Sequence, residues 1–128
     1  METIVKDQVL DFLLYKKLIS KHQHGFMRHH STTTNLLECT HDWIVGLSNG
    51  NNIDVIYIDF TKAFDSIVFS KLLSKLNQCG IQGYLLSWLS SFIHGRTQRV
   101  VVENCFSSIS EVVSGVPQCS VLGPILFL

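Results

Sequence analysis

A chain of 128 residues has room for one domain or part of one, with a core of limited size. It is 46% hydrophobic and only 16% charged, where about a quarter charged is usual for a soluble domain, so apolar surface is expected to face a partner or further chain. Ten basic and ten acidic residues cancel, and the net charge gives no sign of a nucleic-acid partner. Cys39, Cys79, Cys105 and Cys119 are widely spaced, form no CxxC pair and follow no secretory signal. They are read as reduced thiols with no disulfide partner, in an intracellular protein of nucleus or cytoplasm. No apolar run approaches the ~18 residues of a membrane span, so no membrane partner is expected.

Residues 3–19 carry Ile4, Val5, Val9, Leu10, Phe12, Leu13 and Leu14 at helical spacing. A polar, His-rich loop follows from Ser20 to His30. Ser31 is a natural N-cap for a second helix bearing Leu36, Leu37, Trp43, Ile44 and Leu47, which Gly46 and the Asn49-Gly50-Asn51-Asn52 cluster end. Ile53–Phe60 is short, β-branched and almost wholly apolar, the pattern of a buried central strand. Residues 66–78 predict a helix with Ile67, Leu72, Leu73 and Leu76 inward, closed by Gly80. Residues 82–94 predict another with Leu85, Leu86, Trp88, Leu89, Phe92 and Ile93, closed by Gly95. Thr97–Glu103 and Ile109–Val113 predict two strands joined by a short polar connection. Gly115-Val116-Pro117 is a turn, and Ser120–Leu128 opens a new apolar element.

The sequence stops inside that apolar run, without a cap or polar tail. The expectation is a truncated domain that folds poorly, because its sheet lacks strands and its last element is uncovered. The layout is α+β, with helices packed on a small β-sheet and no internal repeat.

Charge is unevenly distributed. No acid lies between Asp11 and Glu38, where Lys16, Lys17, Lys21 and Arg28 occur, nor between Asp65 and Glu103, where Lys71, Lys75, Arg96 and Arg99 occur. Such stretches suit a phosphate backbone, and they also suit ordinary solvated helix surfaces. His22, His24, His29 and His30 are close together, but no Cys or carboxylate stands near them at zinc-like spacing, which favours a solvated loop over a metal site. Asp59 lies where the apolar strand runs out. A carboxylate held there suits Mg²⁺, a hard ion that prefers oxygen, and it equally suits a turn cap.

Asp59-Phe60-Thr61-Lys62-Ala63-Phe64-Asp65 resembles motif A of the reverse transcriptases of non-LTR retrotransposons, the LINE class, of jockey-like type. The likeness continues in that family's order. Gln23-His24-Gly25-Phe26 with Ser31-Thr32-Thr33-Thr34 is similar to its fingers motif. Gly95-Arg96-Thr97-Gln98-Arg99-Val100-Val101-Val102 stands where expected, and Ser114-Gly115-Val116-Pro117-Gln118-Cys119-Ser120-Val121-Leu122-Gly123-Pro124 resembles motif B. The likeness spans nearly the whole chain.

The resemblance implies a partial right-hand polymerase fold, with 1–52 fingers-like and 53–128 palm and fingers carrying motifs A and B, and with motif C and the thumb absent. It implies RNA-directed DNA synthesis, a nucleotidyl transfer that uses two Mg²⁺ ions, an RNA template, a DNA primer and deoxynucleoside triphosphates. Asp59 would be the catalytic carboxylate and, with the carbonyl of Phe60, a metal ligand. Phe64 would pack under the incoming sugar and exclude a 2′-hydroxyl, and Gln118 would contact nucleotide and template. Arg28 would serve the triphosphate, because Met27 occupies the position of the family's usual Arg. Cys119 stands where the family usually has Gly. Taken without the motif, Phe64 is a core aromatic and Gln118 a turn amide. With one carboxylate, the chain is expected to be inactive by itself. A non-catalytic nucleic-acid-binding remnant, or a translated relic of a decayed element, are the competing readings.

Overall fold

In the computed structural model, which describes residues 1–128, helix α1 runs from Glu2 to Tyr15. It ends four residues before the periodicity does, because Lys17 takes a left-handed φ of 55°. Lys17 N–H then donates to Leu14 O at 2.9 Å and Leu18 N–H to Leu13 O at 3.0 Å, which satisfies two terminal carbonyls. Helix α2 spans Thr32–Ser48. Ser31 caps it as predicted: its Oγ accepts from Thr34 N–H at 3.1 Å, and Thr34 Oγ1 accepts from Ser31 N–H at 2.8 Å. Gly50 and Gly80 close α2 and α3 (Phe69–Gln78) by the same two-bond pattern as Lys17, and Ile81 beyond Gly80 is buried. Helix α4 follows at Gly83–Ile93.

The core is a helix cluster. Val9, Leu10 and Leu13 of α1, Phe69, Leu72 and Leu76 of α3, and Leu89 and Ile93 of α4 meet Ile81, Val116, Leu122, Ile125 and Leu126. Each such side chain contributes roughly 1.5–3 kcal/mol when fully buried. The last two residues belong to α5 (Gly123–Phe127), which packs on α1. The final apolar run is therefore covered through Ile125 and Leu126, which corrects the expectation of an uncovered last element.

Two further expectations change. Helix α2 buries none of its residues: of the five apolar positions expected on its face, Leu36, Leu37, Ile44 and Leu47 are exposed and Trp43 is half-buried. Ile53–Phe60 is no strand, and Ile56, Tyr57 and Ile58 are 80% exposed or more. An apolar strand of this kind needs a hydrogen-bonded neighbour and a layer on each face. Neither is present, since the only ladders are β1 (Thr97–Gln98) on β4 (Ser110–Glu111) and β2 (Val101–Val102) on β3 (Cys105–Phe106), both antiparallel.

Those four short strands form one interrupted hairpin. Glu103 and Asn104 sit at its tip with φ of 46° and 66°, the double left-handed turn that matches strand twist. Between the ladders Arg99 and Val100 face Ser107, Ser108 and Ile109, one residue more on the returning side, so the register shifts by a bulge. All eight ladder residues are exposed. The α+β composition stands, with five helices and two small antiparallel sheets. The helices pack on one another, however, rather than on a sheet.

Candidate functional site

The turn after the apolar segment is joined to the Gly115 turn by backbone and side chain together. Val116 N–H donates to Phe64 O at 2.9 Å, and Gly115 N–H donates to Ile67 O at 2.8 Å. Ser114 Oγ donates to Asp65 O, and Gln118 Nε2 to Asp65 Oδ1, each at 2.9 Å. Only glycine fits at 115: its φ is +83°, and a Cβ there would lie 2.8 Å from both Asp65 Cα and Phe64 O. Arg96, just past α4, ties this junction to the helix core. Its Nη2 donates to Gly115 O at 2.5 Å and its Nε to Ile93 O at 2.9 Å, with the guanidinium 5.6 Å from the Phe69 ring centre. Burial without an acid partner pushes the Arg96 pKa down from the usual arginine value.

Two concavities flank the junction. A groove of about 770 Å³ is lined by Lys62, Asp65, Arg96, Thr97, Gln98, Glu111, Ser114 and Gln118 among others. A second, of about 440 Å³, is lined by Phe26, Phe64, Pro117, Gln118, Cys119, Ser120 and Pro124. Gln118 borders both. The Phe64 ring lies 5.0 Å from Phe127, and 6.4 Å from Phe26 at an interplanar angle of 86°. Phe64 and Gln118, predicted on separate motifs, are thus brought to one pocket. Cys119 completes its rim with a left-handed φ of 58°.

The other expected residues stand apart. Asp59 and Phe60 are exposed on the unpaired segment, and the Asp59 carboxylate has no hydrogen-bond or ion-pair partner. Asp59 is therefore not held at a strand edge as predicted. No three His, Cys, Asp or Glu side chains cluster as metal ligands. A lone exposed carboxylate with an adjacent carbonyl does not fix two Mg²⁺ ions, so these residues do not form that site by themselves. Arg28 is engaged by α1: Nη2 lies 2.8 Å from Asp7 Oδ1 and Nη1 3.4 Å from Asp11 Oδ1. The hydrogen bond from Arg28, followed by that from Lys6, holds the Asp7 carboxyl below its ordinary range.

Spacing alone hid a polar cluster in the His-rich loop. His24 is buried, with Nδ1 2.9 Å from Thr34 Oγ1 and Nε2 2.7 Å from Glu38 Oε2, while His22 Nδ1 bonds Glu38 Oε1. Glu38 thus pins the loop to α2. Asp65, Ser114 and Arg96 were also undervalued in the sequence. Their one signal was membership of the segments 59–65, 95–102 and 114–124 that carry the family resemblance.

The whole chain, residues 1–128, matches the family described as reverse transcriptase (RNA-dependent DNA polymerase). It belongs to that family. Among curated relatives, it is 29% identical to the "Probable RNA-directed DNA polymerase from transposon BS" of Drosophila melanogaster over 98% of its own length and 14% of the relative's. It is 33% identical to the RNA-directed DNA polymerase from mobile element jockey of Drosophila melanogaster, over 99% of its length and 14% of the relative's. For the jockey polymerase of Drosophila funebris the identity is 29%, with the same 99% and 14% shares. This reverse-transcriptase chain therefore spans about one seventh of the length of those relatives, and it is similar to the mobile-element type named in them. No solved structure matches it. No helix is long and apolar enough to cross a membrane.

Proposed function

We propose that this chain is the fingers (1–52) and partial palm (53–128) of a right-hand RNA-directed DNA polymerase of a mobile element, and that its pocket receives the incoming deoxynucleotide. The observation that carries the reading is the junction at Asp65, which sets Phe64 and Gln118 on one pocket of about 440 Å³. Phe64 forms the wall under the sugar and leaves no space for a 2′-hydroxyl. Gln118, its amide fixed by Asp65, meets the nucleotide from the side. Asp59 and the Phe60 carbonyl keep the role of metal ligands but need further donors, so the chain by itself catalyses no transfer. Its partners are an RNA template, a DNA primer and deoxynucleoside triphosphates, within the nucleus or cytoplasm.

Titration of the chain with dTTP and with UTP, followed by fluorescence or NMR, tests this reading. Binding should favour dTTP, and Phe64→Val should bring the two affinities together. Absence of dTTP binding, or equal affinities in the parent chain, overturns the nucleotide-site reading. Primer extension on an RNA template with Mg²⁺ should yield no product; robust templated synthesis would overturn the assigned inactivity. The remnant reading draws on one observation, the exposed Lys71 and Lys75 one turn apart on α3. It requires RNA binding whose affinity falls steeply with salt and is unmoved by dTTP.

A further inference from the structure

Phe26 has a conformation that packing does not explain. Its φ is +60°, in the left-handed region that L side chains other than Asn and Asp rarely adopt, and where a bulky residue is an outlier. A phenylalanine accepts such strain readily when its ring is then buried. Here the ring remains 61% exposed. The backbone is strained, and the reward is not core burial.

What the strained turn achieves is placement. It brings the Phe26 ring edge-to-face with Phe64 at 6.4 Å, on the wall of the pocket that Pro117, Gln118 and Cys119 also line. The loop behind it is anchored: His24, two residues earlier, is buried and bonded to Thr34 and Glu38, and Arg28, two residues later, is paired to Asp7 and Asp11. The ring is thus held between two fixed points, with much of its surface free beside Phe64. An anchored aromatic ring that meets Phe64 edge-to-face and is otherwise largely exposed suits a planar aromatic ligand, because any nucleobase has a π-face and stacking tolerates sequence. Strain retained at such a position accords with a binding role.

We propose that Phe26 is the nucleobase platform of this pocket, stacking the base of the incoming nucleotide while Phe64 sits under its sugar. The inference rests on the nucleotide-site reading above and adds a base-binding residue to it. Phe64 discriminates at the 2′-position. Phe26 supplies affinity for the base and is indifferent to the sugar.

The test uses two substitutions at Phe26 in the full chain, with dTTP, UTP and tripolyphosphate as probes. Phe26→Gly removes the ring and also relieves the left-handed backbone. Phe26→Leu keeps an apolar side chain but has no π-face. Both variants should weaken dTTP and UTP binding by the same factor, on the order of five- to a hundredfold, the range for removing one base-stacking aromatic. Tripolyphosphate affinity should not change. Phe26→Gly should lose this affinity with an unchanged or higher Tm, a combination a merely structural aromatic would not give. Normal dTTP binding by both variants, with binding by the parent chain intact, overturns the platform and leaves the nucleotide site standing. No dTTP binding by the parent chain overturns both. A loss for Phe26→Gly that Phe26→Leu fully restores assigns the effect to apolar packing and overturns stacking.

Discussion

At Cys119 the backbone has kept a conformation that the side chain does not suit. Its φ of 58° lies where a Cβ crowds the following carbonyl, at a cost of roughly 1–2 kcal/mol for an L residue. The family resemblance already marked this position as one where glycine is usual, and the left-handed φ supplies the physical reason. The neighbouring bonds hold it there: Gln118 is tied to Asp65, and Ser120 Oγ donates to Pro117 O at 2.7 Å and accepts from Gly123 N–H at 2.9 Å. Cys119→Gly should therefore stabilise the chain, by about 0.5 kcal/mol once glycine's extra unfolded-state entropy of ~0.5–1 kcal/mol is subtracted. Urea unfolding of the two proteins measures it. A drop in stability of ~1 kcal/mol or more would mean that the thiol contributes packing here that its exposure conceals. The motifs single out residues 59, 64 and 118 in the sequence, but the Asp65–Gln118 bond joins residues 53 positions apart, which no local pattern encodes.

Elements with a local physical cause were legible in the sequence. Helices announced themselves by apolar spacing, a Ser31 cap and glycines at 50, 80 and 95, because those signals lie within one or two turns of chain. The His-rich loop was not, since its anchor, Glu38, stands on the next helix, 14 and 16 residues away from His24 and His22. That anchor makes acid sensitivity testable. The hydrogen bond from His24, followed by that from His22, holds the Glu38 carboxyl below its ordinary range. A carboxyl depressed in the folded state adds stability that is fully present above its unfolded-state pKa of about 4.3. That stability is lost as pH falls through the lower folded value. Glu38→Gln removes this contribution. The Tm gap between parent and variant should be widest near neutral pH and should close as pH falls from about 5 to about 3. A gap that stays constant across that window would show that Glu38 acts by shape and neutral hydrogen bonding alone.

Across the whole molecule, order and apolar character are separated. Sixteen of 128 residues are buried, thirteen of them in one apolar cluster built on α1, α3, α4 and α5, while Val55, Ile56, Tyr57, Ile58 and Phe60 lie exposed. The sequence could not reveal this. An apolar, β-branched octapeptide has the composition of a central strand wherever it occurs, but it becomes one only when other strands take up its amides. Residues 53–60 have no backbone hydrogen bond at all, whereas the helices carry their own backbone hydrogen-bond ladders. Local stability follows bonding and burial, so hydrogen exchange should divide the chain sharply. Amides of 53–60 should exchange within about tenfold of the unprotected rate, and those of α1, α3 and α4 at least a hundredfold more slowly. The measurement should be repeated over a range of protein concentration. An unpaired apolar strand is a template for a second one, so protection at 55–58 that rises with concentration would mark edge-to-edge pairing between copies. Protection there equal to that of α3 in dilute, monomeric protein would instead mean that the segment finds a strand partner within its own chain, and the separation of order from apolar character would fail.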